Sequence, residues 1–410
     1  MHNILTTAMS FVMALAFCMP VSATSHILKK KIAIISMRRG GAHTSAAQAL
    51  KQQLSEKYEV TIVNVFEDVL SSLDVVQRIS RKKYTGDDFY VGTCRTMGNW
   101  AVAPLQAIGK FLTRNQSDKI AQLLEQFLRK GEYALVISVI PYINYAIYRA
   151  ARGLGIPSFV LMLNLDADHW LNDMQTAYIT QFTYGLCGES IAMRTKLFEK
   201  NMPSSCVAVV GFPIKQNFLT PADVPELKRE FGISANKPVI MVMMGAEGTS
   251  GNLFYARALA QSTIPIHVCF CIGRDERARP IIDQLKPQQG VTFSVVGFTD
   301  RIADYMAVAD VLITKPGIAS IFEAISRRLP MIIDHIDTVL PWEIPHINFV
   351  VQHNFGFELR DIKQLPHILH CFLQDPTVAR VIKQSMEQYA KSHVHETILS
   401  HVDALLEPKR

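Results

Sequence analysis

Three short stretches of this 410-residue chain place glycines beside titratable or cationic side chains at spacings that can hold a phosphate or move a proton. The first is Arg38-Arg39-Gly40-Gly41-Ala42-His43-Thr44, lying between the apolar run Ile32–Ser36 and a helical pattern over Thr44–Leu54. Its glycines permit a tight turn, and its amides face whatever sits above the helix start. It lacks the Gly-Lys-Ser/Thr of a Walker loop and the third glycine of a dinucleotide fingerprint. His43 is a candidate general base for deprotonating a hydroxyl, the alternative being a helix cap or a bond to a backbone carbonyl. The second stretch, Met244-Gly245-Ala246-Glu247-Gly248-Thr249-Ser250-Gly251, stands in the same position after a later strand, and its Gly245 and Gly248 amides can cradle phosphate. The third, Thr314-Lys315-Pro316-Gly317-Ile318-Ala319-Ser320-Ile321-Phe322-Glu323, again leads from a strand into a helix. It offers amides for a diphosphate, and Glu323, one turn in, can accept two ribose hydroxyls or be an ordinary solvated helix residue.

The elements around these stretches follow one rhythm. Short apolar runs at Ile32–Ser36, Val60–Val63, Ala134–Ile140, Ser158–Leu163 and Cys206–Val210 alternate with helical spacing, as around Ile120–Leu124 and Tyr142–Ala151. The rhythm pauses at Gly211-Phe212-Pro213 and Thr220-Pro221-Ala222-Asp223-Val224-Pro225, which is rich in turn formers. It resumes with strands at Val239–Met244, Ile266–Cys271, Thr292–Val296, Val311–Ile313 and Met331–Ile333 and a helix over Asn252–Ala260. Apolar runs separated by helices predict parallel sheets covered on both faces, so the fold class is α/β with two doubly wound Rossmann-like domains facing a shared cleft. The expected boundaries are an N-terminal segment 1–30, a first domain 31–210, a linker 211–235, a second domain 236–385 and a helical tail 386–410.

Composition narrows the classes. At 49% hydrophobic and 19% charged residues the chain is built to fold, which excludes disordered, collagen-like and coiled-coil readings. A net charge of +6 over the whole length is too dilute to argue for nucleic acid, but it is compatible with an anionic lipid surface. Seven scattered cysteines without a Cys-x-x-Cys pair speak against a disulfide framework or zinc knuckle. From Ile4 to Ala23 the chain is nearly uncharged, and twenty residues at about 1.5 Å each reach about 30 Å, the depth of a bilayer core. It is a membrane anchor or a cleaved signal. Lys29-Lys30-Lys31 on its far side favours an anchor with the body of the protein in the cytoplasm, while Val21-Ser22-Ala23 is suited to cleavage.

Several blocks resemble glycosyltransferase family 28, which includes monogalactosyldiacylglycerol synthases, bacterial diacylglycerol glucosyltransferases and the lipid-linked N-acetylglucosaminyltransferase of peptidoglycan synthesis. Gly297-Phe298-Thr299-Asp300-Arg301-Ile302 through Met306-Ala307-Val308-Ala309-Asp310 is similar to the family's Gly-Phe loop and following helix. Thr314-Lys315-Pro316-Gly317 with Glu323-Ala324 looks like its nucleotide-sugar signature, and Gly40-Gly41-Ala42-His43 resembles its acceptor-side Gly-x-Gly-His loop. Gly211-Phe212-Pro213-Ile214 looks like the linker, and Thr85-Gly86-Asp87-Asp88-Phe89-Tyr90 is similar to an acceptor-region segment of the diacylglycerol-using members. In all, the resemblance runs from about residue 31 to residue 360 in unbroken order.

The resemblance implies the GT-B fold and an inverting transfer of a hexose from a UDP-sugar to a membrane lipid acceptor such as diacylglycerol. By it, His43 is the base, with Asp166 or Asp168 as acidic partner. The amides around Gly245, Gly248 and Gly317 hold the diphosphate, Glu247, Thr314 and Lys315 also belong to the donor site, and the Phe298 backbone reads uracil. Glu323 takes the ribose and Glu343 the sugar hydroxyls, with no cofactor and no metal, since no Asp-x-Asp arrangement demands one. The expected partners are the UDP-sugar, the lipid acceptor and a membrane surface with anionic lipids, met by Arg38, Arg39, Arg81, Lys82 and Lys83, and no nucleic acid. Three departures stand out: Ala42 replaces a glycine, Asn164-Leu165-Asp166-Ala167-Asp168-His169-Trp170 stands where Thr-Asp and then His are usual, and Pro341-Trp342-Glu343 with His346 replaces Pro-Gly-Gln-Glu-x-x-Asn. These keep open an N-acetylglucosaminyltransferase on another lipid-linked acceptor, a UDP-N-acetylglucosamine 2-epimerase and a non-catalytic UDP-sugar sensor.

Overall fold

A computed structural model describes residues 29–38, 41–73, 115–171, 183–188, 191–246, 251–336, 339–392 and 396–407. The expected anchor or signal over Ile4–Ala23, the segment Thr85–Tyr90 and the basic residues Arg39, Arg81, Lys82 and Lys83 lie outside them. No helix among the described residues is long and apolar enough to cross a membrane. Residues 31–410 form one compact unit built on two six-stranded sheets. The strands of the first are β1 (Lys31–Ser36), β2 (Glu59–Asn64), β3 (Leu135–Ser138), β4 (Ser158–Met162), β5 (Thr183–Leu186) and β6 (Val207–Val209), and those of the second are β7 (Val239–Met243), β8 (His267–Gly273), β9 (Thr292–Gly297), β10 (Val311–Thr314), β11 (Met331–Asp334) and β12 (Gly356–Leu359). Every pairing is parallel.

Burial on both faces explains the unbroken apolar runs. In β1, Ile32 and Ile34 point into one cluster with Ala46, Ala47, Leu50 and Leu54 of the helix Gly41–Leu54, while Ala33 and Ile35 point into another with the helices Ser117–Gly131 and Asn144–Gly153. Alternation along a strand thus feeds two cores rather than core and solvent.

Strand order carries the functional consequence. The first sheet runs β2-β1-β3-β4-β5-β6 and the second β12-β11-β10-β7-β8-β9, so the order reverses between β1 and β3 and again between β7 and β10. At such a point the connections leave to opposite sides and open a crevice beyond the carboxyl ends of the strands. All three chemistry-bearing stretches follow the strands that border these crevices: β1, β7 and β10.

The carboxyl-terminal segment is three helices, Leu365–Gln374, Pro376–Ser392 and Glu396–Leu406. The last returns to the first sheet: Lys57 Nζ lies 2.8 Å from Asp403, Tyr58 donates its hydroxyl to the same carboxylate, and His401 packs on Phe159 of β4. Ile398 and Val402 are fully buried in the main core. Ile398→Ala is therefore expected to cost about 2–5 kcal/mol in urea unfolding by loss of transfer energy and creation of a cavity.

Candidate active site

At the first crevice, the turn out of β1 is drawn tight by hydroxyls. Ser36 Oγ donates to the His43 carbonyl at 3.4 Å and Thr44 Oγ1 to the Met37 carbonyl at 3.3 Å. His43 then sits one turn into the helix, with Nδ1 2.6 Å from the Val139 carbonyl just beyond β3. A carbonyl only accepts, so the proton is on Nδ1 and the Nε2 lone pair is left free for chemistry. Burial pushes the imidazole pKa below its ordinary value, and the Val139 bond pulls back in part. The ring stands 6.3 Å from that of Trp170, which is fully buried. The group that holds the ring at Nδ1 is thus a backbone carbonyl. Asp166 follows β4, one strand further across the sheet, and Asp168 opens the short helix Asp168–Leu171.

At the second crevice, Gly245 has a φ of +100°, a conformation that side chains rarely adopt, and a Cβ there would lie 3.1 Å from Lys315 Cε. Lys315 crosses this glycine and reaches toward Glu343, with 4.0 Å between Nζ and Oε1. Burial raises the Glu343 pKa, while Lys315 and a Leu340 backbone hydrogen bond hold it down. Gly317 N–H donates to the Lys315 carbonyl at 2.7 Å, closing a tight turn, and Gly317 precedes the helix Ile318–Arg327, which has no side-chain cap. The first amides of that helix are thus left for a ligand beside the Lys315 ammonium.

Thr314 departs from the expectation. It is fully buried and gives its hydroxyl to the Met243 carbonyl at 2.7 Å, so it ties β10 to β7 instead of touching a ligand. Glu247 and Gly248 lie outside the described residues. Phe298 stands just past β9 and is 57% exposed, with the Arg274 guanidinium 3.8 Å from its ring centroid.

Several contacts join the two crevices. Ser45, two residues after His43, donates to Glu323 Oε1 at 3.4 Å, and Phe212 stacks on Phe322 at 5.2 Å. Burial drives the Glu323 carboxyl up to about 7 against the opposing pull of Lys215 and the Ser45 bond. His346, which the sequence marked only as a changed pocket residue, is buried between the sheets, with Nδ1 2.9 Å from the Pro316 carbonyl and Nε2 accepting the Leu165 N–H at 3.4 Å. Burial, assisted by Lys315, depresses its pKa to about 4, so the imidazole is neutral at ordinary pH. Val139 and Leu165 act through backbone atoms and carry no signal in the sequence. His346 carried one, since a histidine on an otherwise apolar helix needs a partner for each nitrogen.

The two doubly wound sheets with opposed crevices make up the GT-B fold. No family model matches the chain. Solved structures share the architecture: MurG of Acinetobacter baumannii superposes with a TM-score of 0.59 at 17% identity, covering 91% of this chain and 99% of the other, and Anabaena HepE in complex with UDP and glucose with a TM-score of 0.51 at 16% identity, covering 92% of this chain and 100% of the other. In sequence the chain is similar to monogalactosyldiacylglycerol synthase 1 of Arabidopsis thaliana, 24% identical over 370 residues, 86% of this chain and 66% of the plant protein. It is likewise similar to the processive diacylglycerol β-glucosyltransferase of Bacillus subtilis, 21% identical over 385 residues, 91% of this chain and 94% of the other. The chain therefore spans about two thirds of the plant relative and nearly all of the bacterial one.

The Glu323 pKa has a definite sign for stability. A folded value of about 7 against an ordinary 4.5 means that the folded chain binds a proton the unfolded chain has lost in that window, so stability from this group is lost as pH rises through 7. Glu323→Gln is expected to gain in urea midpoint relative to the unmodified chain between pH ~5 and pH ~8; an unchanged difference would show that the carboxyl titrates normally.

Proposed function

We propose that the chain is a sugar-transferring enzyme that moves a hexose from a UDP-sugar to the hydroxyl of a membrane lipid of the diacylglycerol kind, with inversion at the anomeric carbon. The observation that carries this reading is that a histidine with its free lone pair on Nε2 and a glycine-framed lysine stand at opposed crevices joined by the Ser45–Glu323 bond. The names of the relatives support diacylglycerol as acceptor and those of the structural neighbours support a UDP-linked donor.

In this reading His43 Nε2 takes the acceptor proton as the hydroxyl oxygen bonds to the anomeric carbon. The bond to UDP breaks with its electron pair leaving on the diphosphate, and attack from the face opposite UDP inverts the centre. Lys315 and the amides around Gly245 and Gly317 balance the charge that develops on the leaving group, a task that other glycosyltransferases give to a metal. The diphosphate sits at β7/β10, so the nucleoside extends over β8 and β9, where the Phe298 backbone reads the base. Glu323 leaves Ser45 to take the ribose, and Glu343, steered by Lys315, takes sugar hydroxyls. The lipid product requires work at a membrane surface, on the cytoplasmic face where nucleotide sugars are made, with anionic headgroups met by basic residues.

The test is transfer of label from UDP-glucose, UDP-galactose and UDP-N-acetylglucosamine, each separately, into chloroform-extractable lipid by the full chain with diacylglycerol vesicles. One donor is expected to label lipid, and His43→Ala to lower kcat by about 100-fold or more. UDP binding without label from any donor would remove the diacylglycerol reading. For the active enzyme, kcat/KM for the donor is expected to fall as pH drops below about 7, where Glu323 takes a proton, while kcat at saturating donor, which reports His43, is expected to fall only below the ordinary histidine value of 6.5.

A further inference from the structure

His346 joins backbone groups that belong to different lobes. Its Nδ1–H is given to Pro316, at the centre of the Lys315-Pro316-Gly317 turn, and its Nε2 receives the N–H of Leu165, next to Asp166 in the loop beyond β4. The helix that carries it, Ile344–Gln352, also places Glu343 at its amino end. Both imidazole nitrogens are thus committed, one to the turn proposed to hold the diphosphate and one to the acceptor-side loop, in a site only 2% exposed to water.

A buried hydrogen bond that loses one partner costs far more than it contributes when made, so a displacement of either loop strains the other. We propose that His346 is the positioning residue that registers the donor turn against the acceptor loop, so that occupancy of the second lobe by a uridine diphosphate orders Leu165 and its neighbours in the first. The proposal rests on the functional reading above for the nature of the ligand. It rests on the two hydrogen bonds for the coupling. The imidazole is suited to this because it donates at one end and accepts at the other across a rigid ring.

Two conservative variants separate its halves. In His346→Asn the amide reaches the Nδ1 position and can keep the Pro316 bond, but the shorter side chain falls short of the Leu165 N–H. In His346→Gln the amide oxygen reaches the Nε2 position and can keep the Leu165 bond, but nothing donates to Pro316. Thermal unfolding establishes that each variant is folded, and hydrogen exchange at the Leu165 amide is followed with and without UDP.

In the unmodified chain, UDP is expected to slow Leu165 exchange by about tenfold. In His346→Asn, exchange is expected to be fast in both states, and in His346→Gln slower but insensitive to UDP. In turnover, His346→Asn is expected to lower kcat by about tenfold or more with little change in the KM for donor, and His346→Gln to raise that KM. UDP that binds but slows Leu165 equally in all three chains, or in none, overturns the coupling while leaving the proposed function standing. Failure of the unmodified chain to bind UDP overturns both.

Discussion

The hydrogen bond from His43 to the Val139 carbonyl exists because β1 and β3 are neighbours whose connections depart to opposite sides. A helix entering from β1 therefore passes over the end of β3, where the Val139 N–H still bonds the Ile35 carbonyl of β1 while its own carbonyl meets the imidazole. That one acceptor chooses the tautomer, and the tautomer chooses which nitrogen can take a proton. A carboxylate in the same place would also fix the ring, but it would stabilise the imidazolium and raise the pKa. The carbonyl orients more than it charges, and burial holds the ring's pKa below its ordinary value, as the proposed base requires.

The second lobe solves a different problem with the same topology. Its crevice sets a lysine across a glycine that tolerates a left-handed backbone, beside an uncapped helix start, an arrangement suited to negative charge. Two glutamates, Glu323 and Glu343, border this charge in partly dehydrated positions, and both have raised pKa values. Dehydration costs stability in the empty site, yet it also makes each carboxylate a stronger partner for hydroxyl donors than it would be in water. The proposed grip on a sugar and a ribose by their hydroxyls is served by that exchange.

How much of this was legible depends on whether the information lies in a side-chain pattern or in a meeting of distant backbones. Unbroken apolar runs between helical patterns showed the parallel sheets, since strands buried on both faces cannot alternate. The strand expected over Ala134–Ile140 is in fact Leu135–Ser138, and the residues trimmed from it include Val139, whose carbonyl matters because it is no longer in the sheet. Thr314 had the type and place of a ligand-binding hydroxyl, but the reversal of strand order put the Met243 carbonyl beside it first. Asp166 was named as acidic partner through the resemblance, and it follows β4, whereas the group that holds His43 at Nδ1 follows β3. The tail was legible as helical, whereas its return to Tyr58 and Phe159 was not, because a helical pattern does not state what its buried face meets.

Joining two lobes that each carry half of a reaction sets a limit on how the interface can be built. A wholly apolar interface would hold them together with little preference for angle, since dispersion and burial are nearly indifferent to small slides. Buried polar links are directional and penalise misalignment. The described interface combines both: Phe212 on Phe322 supplies area, while Ser45–Glu323 and Pro316–His346–Leu165 supply angle. Of the two polar links, one ends on a carboxylate that the proposed donor competes for, and the other on backbone atoms that no ligand displaces. The first can therefore be exchanged when the site fills, and the second keeps the lobes in register while that happens.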